Sequence, residues 1–482
     1  QEVIRYIWAA LDDKERGAGA LALRGQAQFG RRCVGSVPGL FSDPSSMGRM
    51  MTIMKQILSI SAGLLALAAL TQPAFAQTVF PTGTTIYTPA EAHSSYILIS
   101  DHTAVGNHPS ARVRAEAEGA SPGDIRLIDM NGNVVHTWEV APFFNKRCRL
   151  LPSGNLVYVG PNKTIYEYDW DGNVVWTHEG IGSVNDMRIL PNNNRLLIAH
   201  EPIPEEYQRQ VRDVEIAPWW GPRLRGSGET QLGADLYEVN LDGEVVWEWH
   251  AHNHLDLNLF SPATPEGDWL HVNSVAPLPE NKWYDAGDER FRPSNILLNA
   301  RNINTVYVID KETKRIVWEG THNYKGGMAH AHEAEMIEKG LPGAGNIILF
   351  DNGLFTRHRA HTGQTFIVEL DPITLEIVWV YETEGYANIK FFSKTMGTQK
   401  RLPNGNTYIA EDNTGRLFQV KPDGEIVWEY VNRGGTTRPS VIPYDFTPQL
   451  RALPRPEELT VTPPNNLEWR IAPDIHREKG EY

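Results

Sequence analysis

The chain has 482 residues, 41% hydrophobic and 22% charged, with 14 Trp and 17 Tyr. This is globular composition, long enough for a large core or two domains, and the aromatic content suits a β fold. The formal net charge is −14, and without a basic stripe to neutralise phosphates it argues against binding nucleic acid.

No Met precedes Met47, and residues 1–49 read as translated upstream sequence. A different signal follows in MTIMKQILSISAGLLALAALTQPAFAQ. Lys55 supplies a short charged region, Ile57 to Leu70 an apolar run, and Ala74-Phe75-Ala76 a small-residue cleavage site before Gln77. Residues 50–76 are therefore expected to be a signal peptide. The run is short for a membrane span and no stop-transfer pattern follows it. The expected mature chain starts at Gln77, is periplasmic or secreted, and has no membrane span. Residues 77–94 read as an N-terminal extension and 95–482 as one domain. Cys33 lies ahead of the cleavage site, so Cys148 stands alone in the mature chain and no internal disulfide is expected.

Beyond that point the chain repeats itself. MNGNVVHTW at Met130, WDGNVVWTHE at Trp170, LDGEVVWEW at Leu241 and PDGEIVWEY at Pro422 are near copies. KETKRIVWEG at Lys311 and ITLEIVWVYE at Ile373 are looser ones. A second phrase precedes most of them: LLPSGN at Leu150, ILPNNN at Ile189, PLPEN at Pro277, GLPGAGN at Gly340 and RLPNGN at Arg401. Strings such as LYEVNL and LFQVK alternate with period 2, and the Asn-Gly and Asp-Gly pairs supply the positive φ of tight hairpins. Each unit thus reads as a four-stranded antiparallel meander. Six such sheets bury both faces only when packed around an axis, which predicts an all-β, six-bladed β-propeller.

In chain order the blades are placed at 95–140, 143–180, 183–252, 268–323, 331–382 and 391–432. The Val-Val-Trp strand is expected to be outermost, its Trp filling the wedge between blades. The first blade lacks an innermost strand, and the tail after Arg438 is expected to supply it. Long insertions at 201–232, 250–268 and 281–293 are placed to shape a binding face.

In such a ring the starts of the innermost strands converge. Blade two offers Asn145 and Lys146 there, blade three Asn185 and Asp186, and blade four His271 and Asn273. Blade five offers His330 and His332, and blade six Thr398 and Gln399. Second strands bring Arg301 in LLNARNIN and Asp351-Asn352-Gly353. An Arg with two His suits an anionic tetrahedral group, because Arg offers a fork of donors and neutral His a nucleophile or base. Asn185, Asn273, Asp351 and Asn352 are the candidate substrate-binding residues. His250, His252 and His254 form an alternating set whose metal reading is weaker than a solvated loop, and RHRAH at 357–361 reads as a basic loop. No zinc-like Cys/His spacing, Gly-rich phosphate loop or G-x-S-x-G is present. No metal or other cofactor is expected.

DWLHVNSV (268–275), HEAEMIEKGLPGAGNIILFDNG (332–353) and GTQKRLPNGNTYIAEDNTGRLFQVKPDGEIVWEYVN (397–432) resemble the bacterial aryl-sulfate sulfotransferase family. The resemblance runs from about Ile97 to Asn432. It implies an exported six-bladed propeller that moves a sulfuryl group from a phenolic sulfate ester to a phenol, without a nucleotide sulfate donor. By that resemblance His332 is the nucleophile and passes through a sulfohistidine, while His271 and Arg301 bind the sulfuryl oxygens. Here Glu333-Ala334-Glu335 stands where many relatives have Asp-x-His, Asn185-Asp186 stands for a family His-Asp pair, and the family's short disulfide is absent. Two other classes fit the residues alone. One is a non-catalytic exported propeller binding a sugar, peptide or envelope partner. The other is a metal-assisted lyase or hydrolase using His250–His254. A homodimer is compatible with any of them.

Overall fold

The structure is a computed structural model that describes residues 82–102, 125–141, 147–161, 164–181, 183–212, 214–216, 223–225, 231–259, 267–353, 364–383, 391–432 and 434–462. The readings of 1–49 and 50–76, Asn145, Lys146 and the basic loop at 357–361 lie outside them.

Six antiparallel sheets follow one another along the chain as the blades of a six-bladed propeller. Blade two is the plain case, with strands Arg147–Leu150, Leu156–Val159, Ile165–Tyr168 and Val174–His178 from inside to outside. Blades three, four and five repeat it, their inner strands being Ser183–Ile189, Val272–Pro277 and His332–Met336. Blade one takes its inner positions from the far end of the chain. Gly435–Thr436 and Ser440–Ile442 both pair with Tyr96–His102, as the missing inner strand of blade one required. Blade six begins with Thr398–Arg401, and outside its Ile426–Val431 strand lies Gly83–Tyr87. The Val-Val-Trp strand is therefore outermost in five blades but not in the sixth. The segment read as an extension contributes a fifth strand there, so two distant chain ends stitch neighbouring blades.

The Asp-Gly turns do what their composition demands. Gly132, Gly172, Gly243 and Gly424 have φ between 83° and 91°, a region that costs most residues strain and glycine little. In all six blades the register slips once just before this turn, for example between Glu238 and Val239 or Gln419 and Val420. Such a bulge strengthens the local twist of the outer hairpin.

The core lies between blades. Leu196, Ile198 and Leu236 of blade three pack with Val272, Leu298 and Tyr307 of blade four. Ile97 and Ile99 of blade one pack with Tyr408 and Leu417 of blade six, which closes the ring. Central strands such as Ile296–Ala300 and Phe366–Leu370 are buried at every residue. Each Val-Val-Trp indole then reaches the next blade. Trp176, Trp247, Trp318, Trp379 and Trp428 donate to the carbonyls of Leu241, Lys311, Pro372, Pro422 and Met130, at 2.8–2.9 Å. In blade one His136 holds the Trp place, and its Nε2 makes the same bond to Trp170 O at 2.9 Å. Among the described residues no helix is long and apolar enough to cross a membrane.

Candidate active site

The inner strands meet in a buried lattice of charge. Asp186 is 0% exposed and is ringed by four guanidiniums from three blades. Arg438 Nη1 lies 2.7 Å away, Arg149 Nη2 3.4 Å, Arg147 Nη1 3.6 Å and Arg188 Nε 3.9 Å. Glu333 of blade five pairs with Arg438 at 2.8 Å and with Arg188. Arg438 and Arg147 also donate to Asn273 O of blade four, and Gln399 of blade six donates to Glu333 O. Every blade thus contributes to one network. Burial alone would raise the Asp186 carboxyl, but Arg438, Arg188, Arg149 and Arg147 outweigh it and hold the group below the usual range. Burial also pulls Arg147 down to about 9.

Beside this lattice lie the histidines. His332 opens the inner strand of blade five and is 4% exposed. Its Nδ1 lies 2.6 Å from Asn352 Oδ1 and 3.2 Å from His330 O, so Nδ1 carries the proton. Asn352 is held in turn, donating to Ser393 O at 2.8 Å and Met396 O at 2.6 Å. The Nε2 lone pair accepts Met396 N–H at 3.2 Å. Burial first, then the charges of Arg301 and Arg438, push His332 well below an ordinary imidazole, so it is neutral at neutral pH.

His271 precedes the inner strand of blade four, and its side chain is 31% exposed. Its Nδ1 lies 2.5 Å from Asp268 Oδ2. Burial lowers it too, against the pull of Asp268. Arg301 follows the second strand of blade four, 8% exposed, with Nη1 donating to Asn302 Oδ1 at 2.9 Å. Burial brings Arg301 down to about 10, which leaves it cationic at neutral pH. The Arg301 charge acts on both His271 and His332 and lowers each.

The other candidates divide by what occupies their polar atoms. Asn273 donates to Ala331 O at 2.9 Å and accepts from Asn299, which ties blade four to blade five. Asp351 Oδ1 accepts from Ala329 N and Gly353 N, and Oδ2 lies 3.2 Å from His322 Nε2. Both shape the backbone around the histidines. Asn185 lies on the inner strand of blade three, but its side chain is outside the described residues. The His250 and His252 rings lie 5.5 Å apart, but among the described residues His250, His252 and His254 form no three-ligand cluster. His250 pairs with Asp235 at 2.8 Å, His252 packs on Tyr207 and His254 stacks on Trp249.

The left-handed backbone also gathers here. His271, His330, Glu333, Met396 and Arg438 all have φ between 42° and 59°. Four of them sit one or two residues ahead of an inner strand, in blades four, five, six and one. Non-glycine residues hold such angles only where surroundings impose them, and they concentrate at functional sites. His330 is 2% exposed and neither ring nitrogen has a hydrogen-bond partner.

Residues 224–433 match a family model described as Arylsulfotransferase (ASST). That span begins in the insertion of blade three, ends after the last strand of blade six, and contains His271, Arg301 and His332. No curated protein matches the chain. Two solved structures are similar at low identity. One is a protein of unknown function from Bacteroides caccae, 14% identical over 73% of this chain and 99% of that one, with a TM-score of 0.43. The other is the WD40 β-propeller domain of Doa1, 12% identical over 74% of this chain and 85% of that one, with a TM-score of 0.37. The match over residues 224–433 supports the arylsulfotransferase family and falls on the same blades, four to six, that carry the sequence motifs.

Proposed function

We propose that this protein transfers a sulfuryl group from a phenolic sulfate ester to a phenol, with His332 as the nucleophile, in the periplasm or outside the cell. The family match supports sulfotransferase-type chemistry, and one observation carries the finer reading. His332 is a buried neutral imidazole whose Nδ1 proton is fixed on Asn352, so the lone pair is on Nε2, and the ring lies within electrostatic range of Arg301 and His271.

In the first half-reaction Nε2 forms a bond to sulfur and the sulfur–aryl oxygen bond breaks. The electron pair leaves with the phenolate, which takes up a proton. Nδ1–H stays on Asn352 throughout. Arg301 and His271 meet the charge on the sulfuryl oxygens. In the second half-reaction the acceptor phenol gives up a proton, its oxygen attacks sulfur, and the nitrogen–sulfur bond breaks. Attack requires Nε2 to release Met396 N–H, a neutral 3.2 Å bond that costs only about 1 kcal/mol.

Turnover of an aryl sulfate with a phenol acceptor tests this reading. His332→Asn should lower it by about 10³-fold or more while the fold persists. Turnover that survives His332→Asn would refute His332 as the nucleophile, whereas no turnover, with binding of the ester that survives His332→Asn, would favour a propeller that only binds.

A further inference from the structure

His200, Asp268 and His271 each offer one ligand atom, and these atoms all lie within 4.8 Å of one another. They come from two adjacent blades. His200 ends the second strand of blade three, and Asp268 and His271 precede the inner strand of blade four. His200 Nε2 lies 3.1 Å from Val272 O, a donation that leaves the lone pair on Nδ1. His271 Nδ1 lies 2.5 Å from Asp268 Oδ2, so an ion that takes both as ligands replaces the proton between them. Metal-binding histidines are held as His200 is, the second nitrogen donating to a carbonyl. The two ring centres are 5.5 Å apart. Two imidazoles on one tetrahedral ion, with metal–nitrogen bonds of about 2.0 Å, have ring centres about 5 Å apart.

We propose that His200, Asp268 and His271 bind one divalent transition-metal ion of the zinc type. Two imidazoles and one carboxylate are the donor set of a three-ligand site with an open position. The absence of thiolate and the single carboxylate disfavour copper(I) and calcium, and the set also accepts cobalt(II). Asp268 neutralises one of the ion's two charges and Arg301 lies nearby, so the open position favours an anionic oxygen. Metal binding does not depend on sulfuryl transfer and is measured without any ester.

The test uses untagged full chain, stripped of metal and titrated with Co²⁺ by visible absorption and with Zn²⁺ by calorimetry. One equivalent should bind with ligand-field bands. His200→Gln and Asp268→Asn should each weaken it by at least about 10-fold. Zn²⁺ should raise the unfolding temperature of the unaltered protein and not of these variants. His252→Gln should change nothing. The proposal is overturned if no stoichiometric binding occurs, if binding persists in both variants, or if it is lost with His252→Gln. The two substitutions lie on different blades, so a folding defect in one leaves the other to decide. Failure here leaves sulfuryl transfer standing, and failure of sulfuryl transfer leaves this result standing.

Discussion

His332 Nδ1 and Asn352 Oδ1 lie 2.6 Å apart, and this bond decides which nitrogen of the histidine can react. Asn352→Ala removes the acceptor and is expected to lower kcat by about 10–100-fold with little change in KM. Asn352→Asp places a carboxylate beside the imidazole and raises its pKa. The attacking form is neutral, so the acid limb of the kcat profile should move to higher pH in Asn352→Asp. A loss of rate with an unmoved limb would reduce Asn352 to a packing role.

The unaltered enzyme should show no loss from His332 protonation between about pH 5 and 8. Burial and the Arg301 charge hold the imidazole well below its usual 6.5, so its neutral form persists as pH falls. A kcat limb near pH 6.5 in the unaltered protein that moves to higher pH in Asn352→Asp would contradict this.

Under the proposed mechanism Arg301 sets the opposite limb. Burial lowers its guanidinium to about 10, so activity should decline as pH rises through about 10 and the charge is lost. Arg301→Gln should lower kcat about 10²–10³-fold across the whole range and abolish that limb.

The charge lattice should be visible in stability. Asp186 has a folded pKa below its unfolded value. It therefore contributes stability in full above about pH 4 and loses it as pH falls towards the folded pKa. Asp186→Asn should cost about 3–5 kcal/mol at pH 7, because it leaves buried guanidiniums unpaired. The gap between variant and unaltered protein should narrow below about pH 4. Denaturant unfolding at several pH values reads both effects.

The ring's repeat was legible because its causes are local. Asp-Gly pairs, period-2 strings and one Trp per unit dictate a meander whatever lies elsewhere in the chain, and the inner strand absent from blade one had to come from the tail. The fifth strand of blade six was not legible. Gly83–Tyr87 is short and its partner lies more than 300 residues away. Sequence also singled out His271, Arg301 and His332, through the convergence of blades and the family resemblance. It missed Arg147, Arg149, Arg188 and Arg438, although Arg147-Cys-Arg149 and Asp186-Met-Arg188 alternate polar and apolar on inner strands, which was the available signal. His200 was missed because its strand reads as ordinary core until Asp268 is brought beside it from another blade. The alternating His250, His252 and His254, whose metal reading was the weaker one, take separate partners in Asp235, Tyr207 and Trp249.

Sulfuryl transfer through His332 is tested most directly by incubating the protein with an aryl sulfate in the absence of acceptor. Intact mass should rise by one sulfuryl group, peptide mapping should place it on His332, and a phenol should remove it. An unchanged mass with several donors in folded protein, or a label on another residue, would contradict the mechanism.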